Sequence, residues 1–191
     1  MLSTLLKPSE ILEDVWARLL AGKSELKHAF HTAALASINE LEGVTVRTVV
    51  LRKVDVETRQ ICFHTDRRSP KFADLLHDPA AAWLFYDAKA RLQIRVRTSA
   101  TLHTKDAVAH EQWVGLPEHA HGMYRSSIAP GEVLDQMAPP PIDPTTVGRD
   151  NFAVVACRIE SIDWLYLHPD GHRRLRFTWV DNEPKAEWLA P

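Results

Sequence analysis

The stretch Arg91-Leu-Gln-Ile-Arg-Val-Arg97 alternates polar and apolar side chains without a break, which is the pattern of a β-strand with one buried face. Gln93, Arg95 and Arg97 share its polar face, where a planar ligand with carbonyl and N–H groups would satisfy the glutamine. A ladder of cross-strand salt bridges would satisfy the arginines equally well. The stretch therefore predicts a strand, continuing to Leu102, whose polar face either binds a ligand or pairs with its neighbours.

Strand-like and helix-like segments extend outward from this stretch in both directions. The other predicted strands are residues 30–38, 44–54, 60–65, 80–86, 152–159, 164–168 and 174–180. The first three predict a three-stranded meander, and the last two are expected to meet at Pro169-Asp170-Gly171. Helices are predicted from Ser9 to Gly22, from Ser69-Pro70 to Asp78, and from Lys105 to Val114.

Strands at short, regular intervals with few helices between them predict a mainly β fold with helices (α+β), built as a small antiparallel barrel. The whole chain, residues 1–191, is expected to form one domain. Its parts are an N-terminal helix (1–25), the barrel core (28–104), a proline-rich excursion (119–150) and the C-terminal strands (151–191).

The composition excludes several classes of protein. The 23 Lys and Arg residues are outnumbered by 25 Asp and Glu residues, so the net charge of −2 offers no global attraction for a nucleic acid. The start of the chain is apolar only briefly, and no stretch reaches the roughly 18 apolar residues that span a bilayer. Cys62 and Cys157 are too few for a disulfide scaffold and predict reduced core thiols. We therefore expect a cytoplasmic protein that binds neither nucleic acid nor membrane.

The sequence lacks the usual nucleotide-binding motifs. It contains no Gly-x-Gly-x-x-Gly and no Gly-x-x-x-x-Gly-Lys, which argues against a Rossmann cofactor or a P-loop nucleotide. His28-x-x-His31 and His119-x-His121 have no cysteine or nearby carboxylate to complete a ligand set, so no metal site is expected.

The densest polar segment, Thr65-Asp-Arg-Arg-Ser-Pro-Lys71, lies where a predicted strand ends and a predicted helix begins. The start of a helix presents unpaired backbone N–H groups and a partial positive charge, which suit an anion. Thr65 and Ser69 can add hydroxyl donors, and Arg67, Arg68 and Lys71 can add charge. The segment predicts a phosphate site, although a solvated basic turn with a good helix cap would have the same composition.

Two arginines interrupt an apolar strand in Arg47-Thr-Val-Val-Leu-Arg52. A guanidinium group is seldom buried without an anionic or planar partner, so both are candidates for ligand binding. Strict alternation would send them to opposite faces, so a bulge or two different partners would be needed. The alternative is that they are edge-strand charges that prevent aggregation.

The order and spacing of these segments resemble the pyridoxamine 5′-phosphate oxidase-like family of FMN-binding split barrels. The matching motifs are Arg47-x-Val-x-Leu-Arg52, Phe63-x-Thr65-Asp66-x-x-Ser69-x-Lys71, Asp78-Pro79, Gln93-x-Arg95-Val96 and the final Trp188-Leu-Ala-Pro191. The likeness extends from about His28 to the C-terminus, and it is closer to the poorly characterised oxidase-like group than to the vitamin-B6 enzyme.

The resemblance implies FMN as the cofactor and assigns its ligands. Arg47 and Lys71 match ligands of the FMN phosphate, with hydroxyls from Thr65 and Ser69, while Gln93 matches the residue that contacts the edge of the isoalloxazine ring. The full set of implied cofactor-binding residues is Arg47, Thr48, Val49, Val50, Leu51, Arg52, His64, Thr65, Ser69, Lys71, Gln93 and Arg176.

The substrate side departs from the family pattern. Arg52 stands where the oxidase has a lysine, Pro70 replaces an arginine, and Leu165 lies where a tryptophan would flank the flavin, next to Trp164. The candidates for a differently shaped substrate pocket, besides Arg52, are Tyr124, Arg125, Arg173 and Arg174.

The resemblance therefore implies a homodimeric FMN-dependent oxidoreductase with the flavin at the subunit interface and a small-molecule electron donor. The alternative is a binding protein of the same fold that holds FMN, haem or another planar ligand without turnover. A barrel for single-stranded nucleic acid is a third class, against which the net charge argues.

Overall fold

Nine strands form one antiparallel sheet in the computed structural model, which describes residues 7–135, 137, 139, 141–143, 145 and 148–191. The strands are β1 (Thr32–Asn39), β2 (Gly43–Val50), β3 (Lys53–Asp55), β4 (Gln60–Asp66), β5 (Ala80–Asp87), β6 (Leu92–His103), β7 (Phe152–Tyr166), β8 (Arg173–Val180) and β9 (Glu183–Leu189). Their order in the sheet is β2-β1-β5-β6-β7-β4-β3, with β8 on β7 and β9 on β8. The sheet is not closed, and this is the expected mainly antiparallel, split-barrel architecture.

Four α-helices connect or cover the strands: α1 (Pro8–Ser24), α2 (Pro70–His77), α3 (Ala107–Val114) and α4 (Glu118–His121), which a 3₁₀ turn follows. Within the described residues, none of the helices is long and apolar enough to cross a membrane.

Strand β7 connects the two parts of the sheet. It pairs with β6 through residues 154–159 and 161–166, with β4 through residues 152–158, and with β8 through residues 161–166. The prediction of two separate strands here was wrong. Glu160 is left out of the register between β6 and β7, and this bulge bends the strand without ending it.

The predicted meander was also wrong, because the segment 44–54 breaks between Leu51 and Arg52. The Leu51 N–H donates to the carbonyl of His31, 2.9 Å away, whereas the Arg52 N–H donates to that of Cys62, 2.8 Å away. Consequently β2 pairs with β1 and β3 pairs with β4 at the far end of the sheet. Strand β9 was not predicted; all of its residues except Leu189 are exposed, so it has no buried face.

Helix boundaries differ from the predictions by a few residues. Helix α1 begins at Pro8 rather than Ser9, because the Lys7 N–H is capped by Glu10 Oε2 at 2.8 Å. It also continues past Gly22 to Ser24. Helix α3 begins at Ala107, where Asp106 caps it, whereas α2 begins after Ser69 and ends before Asp78 as predicted.

Two hydrophobic cores lie on opposite sides of β4. Ile61 and Phe63 face the main core, whereas Cys62 faces a smaller core with Trp113 of α3 and Phe152. Adjacent side chains of a strand point to opposite faces, so Thr65 and His64 belong to different sides of the molecule. This alternation separates the two parts of the candidate site.

Candidate functional site

Two hydroxyl groups and an ammonium group meet where β4 ends and α2 begins. Thr65 Oγ1 and Ser69 Oγ are hydrogen-bonded at 3.0 Å, and Lys71 Nζ donates to Thr65 Oγ1 at 3.4 Å. Thr65 and Ser69 are only 5% and 1% exposed. Ser69 is the N-cap of α2 but makes no side-chain cap hydrogen bond, so the helix start keeps its partial positive charge uncompensated.

The charge of this cluster is reinforced from β2. Burial, and then the nearby positive charge of Arg47, lower the pKa of Lys71, while Asp66 and Asp74 act in the opposite direction. A phosphate dianion would offset the repulsion between the two cations, which is part of what lowers the pKa of Lys71. Arg47, Thr65, Ser69 and Lys71 are therefore brought together as the sequence predicted.

The other two arginines of the predicted phosphate segment have different surroundings. Arg68 donates through Nη2 to Asp66 Oδ2 at 2.7 Å and through Nη1 to the carbonyl of Ser126 at 3.0 Å. The hydrogen bonds to Asp66 raise the pKa of Arg68, and Arg67 is exposed to solvent. We therefore assign neither arginine to the cluster of Thr65, Ser69 and Lys71.

Arg52 lies apart from Arg47, because the chain changes strands between them. It lines an open cleft of about 530 Å³ with His64, Gln112 of α3 and Leu116, next to Lys23 and Lys53. Within the described residues, the Arg52 side chain forms no hydrogen bond or ion pair. This answers the question left open by alternation: Arg47 is paired with Asp74, whereas Arg52 lies in a separate cleft, so the two arginines do not share a partner within the described residues.

His64 enters the same cleft from β4. Its Nε2 lies 3.2 Å from Gln112 Oε1, and its buried Nδ1 has no hydrogen-bond partner within the described part of the chain. Burial lowers the pKa of His64 to about 4, so the imidazole is neutral at physiological pH.

Gln93 and Arg176 lie at the other end of the sheet. Gln93 pairs with Leu165 and Arg176 with Asp163, whereas Thr65 pairs with Ala153 at the start of β7. Neither the Gln93 nor the Arg176 side chain has a hydrogen-bond partner among the described residues. The structure therefore does not bring the two predicted ring contacts to the phosphate cluster of the same chain.

Arg95, Arg97 and Arg174 form cross-strand salt bridges. Such a ladder was the alternative to ligand binding on this face of β6. Asp163 Oδ2 accepts hydrogen bonds from Arg95 Nη2 at 3.0 Å and from Arg174 Nη2 at 2.9 Å. Arg97 lies 3.7 Å from Glu160. A groove of about 400 Å³, lined by Arg95, Asp163 and Arg176 among others, runs along this face.

The predicted ring segment, Thr48 to Leu51, consists of the last three residues of β2 and Leu51, which follows the strand. Thr48 is exposed and Val50 is half-buried, whereas Val49 and Leu51 are buried in the main core. Only the backbone and the outward side chains of this segment are available to a ligand.

The four substrate-pocket candidates form two separate pairs. Tyr124 is buried against Trp113 and Phe152, and burial raises its pKa to about 12. Arg125 follows it, with a buried Nε that has no partner in the described part of the chain. Arg173 and Arg174 lie at the start of β8, beside the far end of β7.

Three residues of these networks were missed by the sequence analysis: Asp74, Asp163 and Gln112. Asp163 stands alone between the apolar residues Ile162 and Trp164, which is a signal that could have identified it. Asp74 and Gln112 lie on helices, and nothing in their local sequence distinguishes them from solvated polar residues. Within the described ranges, no group of three His, Cys, Asp or Glu residues could hold a metal ion.

Comparison with known proteins identifies the cofactor class. Residues 13–104 match the family model described as pyridoxamine 5′-phosphate oxidase, FMN-binding domain. No curated protein matches the chain by sequence.

Several solved structures have the same fold. An FMN-binding, pyridoxamine 5′-phosphate oxidase-related protein of Nostoc punctiforme is 24% identical with a TM-score of 0.74, over 98% of this chain and 100% of that one. PhzG of Burkholderia lata, in complex with tetrahydrophenazine-1-carboxylic acid, is 20% identical with a TM-score of 0.75, over 98% of both chains. A haem-binding protein of Mycobacterium smegmatis is 14% identical with a TM-score of 0.50, over 97% of this chain and 60% of that one.

The residues present fit FMN at the phosphate end. Buried hydroxyls, a lysine of lowered pKa and an uncapped helix start are the donors that a phosphate monoester requires. Because the matched family binds FMN and the fold is that of its members, residues 13–104 form an FMN-binding domain of the pyridoxamine 5′-phosphate oxidase family.

Proposed function

We propose that this protein is an FMN-dependent oxidoreductase that takes electrons from a small-molecule donor. The observation that carries the proposal is the convergence of Thr65, Ser69 and Lys71 at the start of α2, in a domain whose family binds FMN. FMN, when bound, accepts a hydride and passes the electrons on. The chain itself holds the phosphate, orients the ring and shapes the cavity beside it.

The phosphate ligands in this proposal are Arg47, Thr65, Ser69 and Lys71. The backbone of residues 48–51 lies along the ring, and Gln93 and Arg176 contact its edge, as the family resemblance implies. Gln93 and Arg176 have no partner within the described residues, which supports a role in binding a ligand or another chain.

The spacing along β7 supports a shared site in a homodimer. Thr65 is opposite Ala153 and Gln93 is opposite Leu165. Measured along β7, at roughly 3.3 Å per residue, about 40 Å of strand lies between these two positions. This is much longer than one FMN molecule. A second copy in twofold arrangement would bring its own Gln93 and Arg176 to the phosphate cluster of the first.

The outer face of the sheet has the composition of an interface between two copies. Val44 and Val46 of β2 are 72% and 64% exposed, and Leu84 and Tyr86 of β5 are also exposed. β2 and β5 lie on either side of β1, and exposed apolar side chains on one open sheet face favour burial against another chain.

The donor would enter the cleft beside Arg52 and His64. Arg52, Lys53 and Lys23 give this cleft an excess of positive charge over the single acidic residue, Glu111. Arg52 has no partner within the described residues, and it acts electrostatically on both His64 and Tyr124. A small anionic donor fits this charge balance.

The cysteines support the cytoplasm as the compartment. Cys62 and Cys157 are both buried free thiols, and burial raises their pKa values to about 11 and about 12. Thiols of this kind are unreactive and typical of proteins from a reducing environment.

The visible spectrum of the purified protein, with and without added FMN, tests the cofactor. Anaerobic addition of NADH, NADPH, and pyridoxamine or pyridoxine phosphate then tests turnover through bleaching of the bound flavin, with reoxidation by oxygen as the second half-reaction. A flavin that binds tightly and is reduced by none of the donors would favour the alternative, a binding protein for FMN, haem or another planar ligand. A colourless protein that does not bind added FMN would refute the proposal.

A further inference from the structure

The carboxylate of Asp74 on α2 is surrounded by hydrogen-bond donors from two strands. It accepts hydrogen bonds from Ser37 Oγ at 2.7 Å, Asn39 Nδ2 at 2.8 Å, Thr45 Oγ1 at 3.0 Å and Arg47 Nη2 at 3.1 Å. The residue is 3% exposed. Four donors around one buried carboxylate fix both its position and its ionised state.

The environment of Asp74 keeps it charged. Burial alone would raise its pKa, but the hydrogen bonds from Ser37, Asn39 and Thr45 and the charge of Arg47 hold the pKa below its usual value. The ion pair with Arg47 is therefore present at any pH at which the protein would function.

The same network fixes the guanidinium group of Arg47. Its Nη1 donates to Ser37 Oγ at 2.6 Å, and its Nη2 donates to Thr45 Oγ1 as well as to Asp74. Arginine loses considerable rotamer freedom on binding a ligand, and a group that is already held loses little. Asp74 thus removes part of the entropic cost of using Arg47.

Asp74 also connects Arg47 to Lys71. Lys71 and Asp74 are three positions apart on α2 and lie on neighbouring turns of the same face. The helix that carries Lys71 therefore also carries the residue that holds Arg47. Arg47 and Lys71 are close enough for the charge of Arg47 to lower the pKa of Lys71.

We infer that Asp74 is a positioning residue of the phosphate site, which holds Arg47 beside Lys71 so that the protein distinguishes FMN from riboflavin. The inference rests on the proposed FMN site and deepens it. Asp74 itself does not touch the ligand in this arrangement. A purely structural Asp74 would support stability without affecting the distinction between the two flavins.

The experiment compares the dissociation constants of FMN and riboflavin for the wild-type protein and Asp74→Asn, by quenching of flavin fluorescence. We expect FMN to bind about tenfold or more weakly to the variant, the effect of losing one charge-assisted contact, and riboflavin to change by less than about twofold. A ratio of the two constants that is unchanged from wild type would overturn the inference.

A double-mutant cycle makes the test specific for Arg47. Asp74→Asn is expected to cause no further loss of FMN affinity in an Arg47→Met background, but its full loss in a Lys71→Met background. Equal losses in both backgrounds would contradict positioning through Arg47.

Asn39→Ala is the matched control, because it removes one donor to Asp74 and leaves the ion pair in place. This variant is expected to have a lower melting temperature but the same ratio of FMN and riboflavin dissociation constants as the wild-type protein. If Asp74→Asn does not fold, Asp74→Glu can replace it, because it keeps the charge but displaces the carboxylate. The same loss of preference for FMN over riboflavin is expected. Failure of the wild-type protein to bind FMN would refute the proposed function as well, whereas wild-type binding with an unchanged ratio refutes the inference alone.

Discussion

His64 and Gln112 are hydrogen-bonded between β4 and α3, with His64 Nε2 3.2 Å from Gln112 Oε1. The imidazole packs edge-on against Phe152 at a ring-centroid distance of 4.9 Å. It is held as a neutral group, because burial lowers its pKa from 6.5 to about 4.

This pair predicts a loss of stability in mild acid. Below pH 6.5 the unfolded chain protonates His64 while the folded protein does not, so stability is complete above pH 6.5 and decreases as the pH falls towards 4. The expected loss in the free energy of unfolding is about 3 kcal/mol when the pH has fallen to about 4, at 1.36 kcal/mol per pKa unit. Urea unfolding at several pH values would measure it.

His64→Gln should flatten this part of the pH profile, whereas His110→Gln on the exposed side of α3 should leave it as in the wild-type protein. Parallel pH profiles for the wild-type protein and His64→Gln would contradict the assignment.

Lys71→Ala should reduce FMN affinity by about 1.5–3 kcal/mol, because it removes a charge-assisted contact to the phosphate. Riboflavin, which has no phosphate, should bind the variant as it binds the wild-type protein. Isothermal titration or fluorescence quenching gives both constants. The control is Lys27→Ala, an exposed lysine outside the site. Equal losses for Lys71→Ala and Lys27→Ala would exclude Lys71 as a phosphate ligand.

Complementation between two variants tests the shared site. Lys71→Ala and Arg176→Ala should each weaken FMN binding when present in both subunits. In co-expressed protein, mixed dimers contain one site with both native halves, so about a quarter of all sites should recover wild-type affinity. A chain with both substitutions is the control and should never recover. If the mixture shows no high-affinity sites, both halves of the site belong to one chain.

Gly22→Ala should destabilise the protein, although alanine normally favours a helix by about 1 kcal/mol over glycine. An added Cβ would lie 2.6 Å from the carbonyl oxygen of Phe30, and this backbone cannot move without displacing β1. Gly122→Ala is the control, because no atom lies within 4 Å of its added Cβ. Thermal unfolding should show a lower melting temperature only for Gly22→Ala. A Gly22→Ala melting temperature at or above the wild-type value would show that α1 shifts freely.

Local patterns were sufficient for much of the fold. The alternation in residues 91–97 and the helix start at Ser69-Pro70 each depend on a few neighbouring residues, and both were predicted correctly. The change of strands at Leu51–Arg52 was not predictable, because the apolar pattern continues through it. Its cause is that the Leu51 N–H pairs with the carbonyl of His31, just before β1, whereas the Arg52 N–H pairs with that of Cys62 in β4.

In the candidate site, too, local sequence patterns were informative and contacts between separate segments were not predictable. Thr65, Ser69 and Lys71 lie within seven consecutive residues, so their proximity followed from one strand end and one helix start. The partners of Arg47 and Arg174 could not be identified in this way. Asp74 and Asp163 reach them through the packing of α2 on β1 and the pairing of β7 with β8.

The position of β7 has a consequence for the order in which the protein matures during synthesis. Thr65 and Lys71 are made early, yet β4 can complete its hydrogen bonds only when residues 152–158 are available to pair with it. This contact joins residues that are between 86 (Asp66 and Phe152) and 98 (Gln60 and Arg158) positions apart, and such contacts form late and slowly. We therefore expect a nascent chain to expose the edge of β4 until β7 arrives, and cofactor capture to be one of the last steps of folding rather than a nucleus for it.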